Sequence, residues 1–308
     1  MNKRWLNIML ILFGAASYGL LSPMIKLAYS GEWKGMQLIT SQTTMGMQIT
    51  SSQMTMGTVM IWLLVAVMPS TWANPFRGPW IRLALNGIIG LALTNLFINA
   101  ALLELDATLC IVLLFQFTWI TVLLDAWFNK KLPNRYQWFA IAIILAGTLL
   151  AVGISGVGLA SVSLKGIFLG LASAVSYSCL LFFTGRIETT LHPLMKSAFM
   201  LTAALPMIYI FQPPNFFFQP GGGTLVLWGL LLGILGQVIP TVLFNISIPK
   251  VGSSLSAMLG AVELPVAMIT AFLLLKDHIF PMQWVGMVVI IGGILVSEKK
   301  MKVVKTLD

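Results

Sequence analysis

A chain of 308 residues that is 58% hydrophobic and 9% charged, with a mean hydropathy of +0.94, lacks the polar surface to enclose a soluble core, since soluble domains carry about 25% charged residues. Its solvent is lipid. A net charge of +9 would suggest nucleic acid in a soluble protein, but here the cations follow the sidedness of a membrane, so the lipid bilayer is the expected partner and nucleic acid is not.

A hydrocarbon core of about 30 Å needs roughly 20 apolar residues as a helix. The apolar runs are continuous rather than alternating, which excludes barrel strands. They predict an all-α membrane protein with ten transmembrane helices, at residues 5–25, 45–68, 80–102, 107–128, 136–154, 165–185, 193–211, 224–247, 252–275 and 280–297.

The first run begins after Lys3 and Arg4 and passes Ala15-Ala16-Ser17, a combination that also suits a signal peptide. Its continuation to Ile25 favours an uncleaved helix. Tyr18 is a cavity-lining candidate, and Lys26 at the outer end is expected to snorkel. Next come two adjoining 11-residue units, 36–46 and 47–57, with 7 identities between them. Eleven residues are about three helical turns, so a tandem duplication of that length lengthens helix 2 while nearly keeping its facing. One unit is expected to be dispensable.

Helix 3 carries Asn95 and Asn99 on one face, and helix 4 carries Gln116, Trp119 and Asp125. Asp125 is expected to pair with Lys130 or face water. Cys110 and Cys179 lie within apolar runs and read as packing residues, not as a disulfide framework. The glycines of 153–158 sit between two lipid-spanning helices rather than in a βαβ unit, so they do not make a nucleotide site. Helix 6 carries Ser176-Tyr177. The spacings Gly166/Gly170 and Gly229/Gly233 suit close helix packing. The proline-rich, glycine-rich stretch 212–223 reads as an external loop. Helix 8 carries Gln237, Pro240 and Asn245.

Helix 9 carries the sharpest feature, Glu263 followed by Pro265. A charge at that depth costs roughly 2.5–3.5 kcal/mol on insertion scales, and a helix-interior proline frees a backbone carbonyl. Glu263 is therefore the candidate for coupling to protons or for substrate contact. His192 and His278 lack metal-ligand spacing, and no Walker motif is present. No metal and no cofactor is expected.

With the N-terminus inside, fourteen of the 18 Lys and Arg fall on the cytoplasmic side of ten spans. Both termini are then cytoplasmic. The chain also repeats: residues 95–154 align with 241–300 at an offset of 146, pairing Gln137-Trp138 with Gln283-Trp284 and Asn99 with Asn245. Ser17-Tyr18 pairs with Ser176-Tyr177 at 159. Five helices per half is an odd number, so the copies are inverted, a construction common in secondary transporters. The expected units are 1–155 (helices 1–5), 163–300 (helices 6–10) and a basic cytoplasmic tail at 301–308.

On these residues the chain resembles the EamA-type transporters of the drug/metabolite transporter superfamily. Tyr18-Gly19 with Lys26 is similar to the family's Trp-Gly followed by lysine. Glu263-Leu-Pro265, Leu275-Lys-Asp277, Gln283-Trp-Val-Gly286 and Gly292-Gly293 are similar to the closing helix pair of the repeat. The first half departs, with Trp119 in the place of the proline and Lys131 in that of the acidic residue, and helix 2 lacks the arginine often found there. The resemblance implies a plasma-membrane carrier, often an exporter of amino acids, metabolites or drugs, with a cavity between the halves.

The reading is a secondary transporter of a small organic solute working by alternating access. Asn95, Asn99, Asn245, Gln116, Trp119, Tyr18, Tyr177 and Gln237 are the candidate substrate contacts, and Glu263 is the candidate for proton coupling. A homodimer is compatible with this. The alternatives are a non-transporting membrane assembly or regulatory protein, a channel, and a membrane-embedded enzyme. The enzyme is disfavoured because no base, nucleophile or metal set clusters around Glu263.

Overall fold

The computed structural model describes residues 3–30, 42–105, 107–152, 163–218, 222–276 and 279–305. It contains ten apolar helical segments: α1 Lys3–Ser30, α2 Gln42–Val67, α3 Trp80–Leu102, α4 Leu109–Asn129, α5 Arg135–Val152, α6 Leu164–Arg186, α7 Pro193–Phe211, α8 Gly222–Val251, α9 Ser253–Leu275 and α10 Pro281–Lys305. Among the described residues nine are long and apolar enough to cross a bilayer, and the apolar part of the tenth, Pro281–Ser297, is shorter. The nucleotide-like glycines at 153–158 and His278 lie outside the described residues.

Four helices are interrupted, which hydropathy does not reveal. α3 passes through a π-helical stretch at Gly87–Leu93 and α8 through another at Ile234–Val238. α4 breaks at Phe115–Gln116 and α9 at Ala261–Val262. α4 and α9 both end on a lysine in the left-handed conformation, Lys130 and Lys276, each at φ 52°. A left-handed residue closes a helix by turning its amide back onto the last carbonyls, and a cation there complements the helix dipole. The two breaks lie 146 positions apart, as do the two lysines, and the π stretches coincide at nearly the same spacing.

α4 and α6 run parallel and in register. Lys165 Nζ meets Glu104 Oε1 at 2.6 Å, Ser178 Oγ donates to the Phe117 carbonyl at 3.3 Å, and Arg186 meets Asp125 at 3.2 Å, each across 61 positions. Asp125 thus pairs with Arg186 rather than Lys130, because Lys130 lies past the helix end in its left-handed turn. Small residues allow the close packing expected of them. A Cβ on Gly170 would meet Leu113 of α4 at 2.6 Å, and one on Gly233 would meet the Gln53 carbonyl of α2 at 2.7 Å.

The second tandem unit, 47–57, lies within α2. Two of its serines are buried against the chain and bonded there: Ser52 donates to the Leu225 carbonyl at 2.7 Å and Ser51 to that of Gln212 at 3.0 Å. The first unit falls partly outside the described residues.

Candidate functional site

The centre of the bundle is a crossing of four elements. Ser17 of α1 donates to the Leu235 carbonyl at 2.6 Å, inside the π stretch of α8. Ser176 of α6 donates to the Ile89 carbonyl, inside the π stretch of α3. A π stretch displaces carbonyls from the regular ladder, and each is taken by a serine from the other half of the chain. Beside the serines, the rings of Tyr18 and Tyr177 meet edge to face at 6.3 Å and 84°. Phe117 packs on Tyr177 at 4.7 Å, and Phe244 on Tyr18 at 6.1 Å.

Glu263 opens the second segment of α9, directly after the break. It is half-buried, with no hydrogen-bond or ion-pair partner among the described residues. Its backbone carbonyl lies so close to α1 that a Cβ on Gly19 would sit 2.4 Å away. At the matching place in α4 stands Phe117, 146 positions earlier. The crossing is therefore near-symmetric in backbone and asymmetric in chemistry, with a carboxyl on one side and a phenyl ring on the other.

The remaining sequence candidates scatter more. Asn99 donates to Thr50 of α2 at 3.0 Å and to the Asn95 carbonyl at 2.7 Å. Asn245 donates to Ser197 of α7 at 2.7 Å. Each asparagine thus ties its helix to a neighbour in its own half, and the Asn245 Oδ1 is left buried without a partner in the described structure. Asn95 turns back to the Leu91 carbonyl at 2.8 Å. Gln116 sits in the α4 break, where Trp119 donates to its Oε1 at 2.8 Å and its own amide reaches the Val112 carbonyl at 2.8 Å. Trp119 also lines an apolar side groove of about 500 Å³ with Leu123, Trp127 and Val175. Gln237 is buried in the α8 π stretch, its Oε1 unpartnered in the described structure. Lys26 lines a small cavity of about 210 Å³ with Ser22 and Gln283.

Sequence reasoning missed Phe117 and Phe244, which only the fold brings to the tyrosines. It also missed Lys196, which lies in the first turn of α7 and is 3% exposed. Asn86, whose amide bonds Thr184 at 3.0 Å, was passed over as well. His192 has a local task, its Nδ1 accepting from the Leu194 amide at 3.3 Å at the start of α7. Outside the spans, Glu104 is held below the usual carboxylate range, chiefly by its hydrogen bond from Lys165 and then by that from Ser163.

A multi-pass helical bundle whose broken helices cross one another suits a membrane protein of the transporter class, where interrupted helices offer backbone groups to a solute. The EamA-like transporter family profile matches residues 5–153 and 164–298, and the chain belongs to that family. It is 25% identical over 213 residues to an uncharacterized transporter of Synechocystis sp., covering 67% of this chain; the match spans 63% of that relative's length. A solved crystal structure, 17% identical, shares the fold with a TM-score of 0.76 over 96% of this chain and 97% of its own.

Proposed function

We propose that the protein is a ten-span, inverted-repeat secondary transporter that exports a small organic metabolite, amino acid or drug across the plasma membrane by alternating access, with both termini in the cytoplasm. The observation that carries this reading is the reciprocal crossing: Ser17 on the α8 π stretch and Ser176 on the α3 π stretch, with Tyr18, Tyr177 and Glu263 between them. Two copies of one unit, each holding the other's broken helix, supply two equivalent packings, and exchange between such packings is what opens a central site to one side and then the other.

In this reading the solute binds beside the tyrosine pair. Glu263 takes up a proton on one side of the membrane and releases it on the other, since a carboxyl at that depth is favoured neutral unless a cation or water faces it. Asn99 and Asn245 hold the walls, with the free Asn245 Oδ1 available to the solute. The test is counterflow in proteoliposomes of the purified protein, across a panel of amino acids, nucleosides and organic cations. Saturable flux driven by an imposed pH gradient, and uncoupled from it in Glu263→Gln, is the expected result. Flux that stays proton-dependent in that variant removes Glu263 from the mechanism, and the absence of flux for every class of solute removes the transporter reading.

A further inference from the structure

A second cavity lies apart from the central crossing. It is a vestibule of about 870 Å³ at the end of the bundle formed by the start of α1, the end of α4, the 131–134 connection and the junction of α8 with α9. Such a volume is that of a small-molecule site. Three cations line it, Arg4, Lys131 and Lys250, and no side chain of the three has a hydrogen-bond or ion-pair partner among the described residues.

The only carboxylate among the described lining residues, Asp125, is already paired. One of its oxygens accepts from Arg186 at 3.2 Å and from Asn129 at 3.2 Å, and the other accepts from Ser254 at 2.7 Å. Arg186 is fixed in turn by the Asn129 Oδ1 at 2.7 Å and by the face of Phe182 at 4.5 Å. The acid is thus committed to holding α4, α6 and α9 together, and the three free cations set the field of the cavity. Val122, Leu132, Val251 and Leu255 supply an apolar wall beside them.

We propose that this vestibule binds a phosphate group carried on a partly apolar molecule. A cavity whose net charge is positive concentrates anions. An arginine from α1 and two lysines, from the α4–α5 connection and α8, line one cavity and suit the several oxygens of a phosphate, the arginine by its planar fork and the lysines as mobile point charges. The apolar wall takes the remainder of the ligand. The same chemistry comes from two sources, a soluble phosphate ester and the headgroup of an anionic phospholipid. The site lies away from Glu263 and the tyrosine pair, so it does not depend on the transport reading.

The test uses the full chain, purified in a neutral detergent. Thermal stabilisation and calorimetric titration are followed with adenosine monophosphate, with dihexanoyl phosphatidylglycerol, and with dihexanoyl phosphatidylcholine as the zwitterionic control. Binding of the monophosphate assigns the site to soluble esters, and binding of phosphatidylglycerol but not phosphatidylcholine assigns it to anionic lipid. Either result supports the proposal when affinity falls about tenfold in the double variant Lys131→Gln/Lys250→Gln, the size expected for two partly exposed charge contacts. The charge-keeping pair Lys131→Arg/Lys250→Arg should retain it. Both lysines are exposed, so the variants should fold. Failure of both anionic probes to bind, or unchanged affinity in the double glutamine variant, overturns the proposal.

Discussion

The hydroxyl of Ser17 and the backbone carbonyl of Leu235 meet at 2.6 Å across 218 positions of chain. The bond joins α1 to the one turn of α8 whose carbonyls are out of the regular ladder, and Ser176 does the same for Ile89 in α3. Replacing either serine by alanine strands a carbonyl at membrane depth. Ser17→Ala and Ser176→Ala should each destabilise the protein by about 1 kcal/mol, within the range for interhelical bonds in membranes. Thermal unfolding in detergent measures this, and an unchanged midpoint in both variants would show that the π carbonyls are satisfied in some other way.

Glycine substitutions separate close packing from chance composition. In Gly19→Ala the new Cβ would lie 2.4 Å from the Glu263 carbonyl, a backbone atom that cannot step aside. The break in α9 must shift, at about 1–3 kcal/mol for overpacking. In Gly286→Ala the Cβ would lie 2.3 Å from the Ala151 amide, with the same consequence for the α5–α10 contact. Gly292→Ala meets nothing within 4 Å and should leave stability unchanged or raise it slightly, alanine being the better helix former. Expression and thermal midpoints of the three variants give the comparison.

Much of this was legible in the sequence, and the divide is physical. Helix existence follows from long apolar runs, so the predicted 80–102 and 193–211 agree with α3 and α7 at both ends. The 146-residue offset, read from pairs such as Asn99 and Asn245, reappears in the left-handed lysines Lys130 and Lys276. The interruptions were not legible. Gly87–Leu93 and Ile234–Val238 are as apolar as any helix, and only the serines arriving from distant helices reveal that their carbonyls are displaced. Proline stands beside the interruptions of α8 (Pro240) and α9 (Pro265), whereas α4 breaks at Phe115–Gln116 with none nearby. The aromatic crowd around Tyr18 and Tyr177 depends on contacts between helices far apart in the chain.

The ion pair of Glu104 with Lys165 predicts a pH dependence of definite sign. The partner depresses the folded-state pKa of Glu104, so the pair's contribution is present above the unfolded carboxyl's ordinary value of 4.5 and is lost as pH falls through the lower folded value. Both groups face solvent, so the effect is small and screened by salt. Wild type should lose slightly more stability than Glu104→Gln between neutral pH and strongly acid pH, and the difference should shrink at high ionic strength. Unfolding midpoints measured across that range check it.

The tandem units predict a tolerated deletion. The second unit supplies buried contacts of α2, including Thr50, Ser52 and Gln53, whereas the described part of the first, residues 42–46, opens α2. Removing residues 36–46 takes out about three turns of helix-forming length and leaves those contacts in place. The shortened protein should insert and unfold within a few degrees of the full chain. Loss of membrane insertion would mean that the first unit also has structural contacts of its own.

The two asparagine ties decide between holding helices and holding a solute. Asn99 bonds Thr50, and Asn245 bonds Ser197, each from the third helix of its half to the second. A purely structural tie appears as coupling in a double-mutant cycle, about 0.6 kcal/mol for a typical buried pair in a membrane. Asn99→Ala with Thr50→Ala should show that coupling in stability and little change in transport beyond it. Asn245 differs, because its amide is occupied while its Oδ1 is buried and unpartnered in the described structure. An unsatisfied acceptor at that depth costs about 1–3 kcal/mol unless a ligand or water meets it. Asn245→Ala should therefore weaken solute binding by more than the Asn245–Ser197 coupling measured in stability explains, whereas Ser197→Ala should not. Equal effects of Asn245→Ala and Ser197→Ala on binding would reduce Asn245 to a second structural tie and move the solute contact to the tyrosine pair alone.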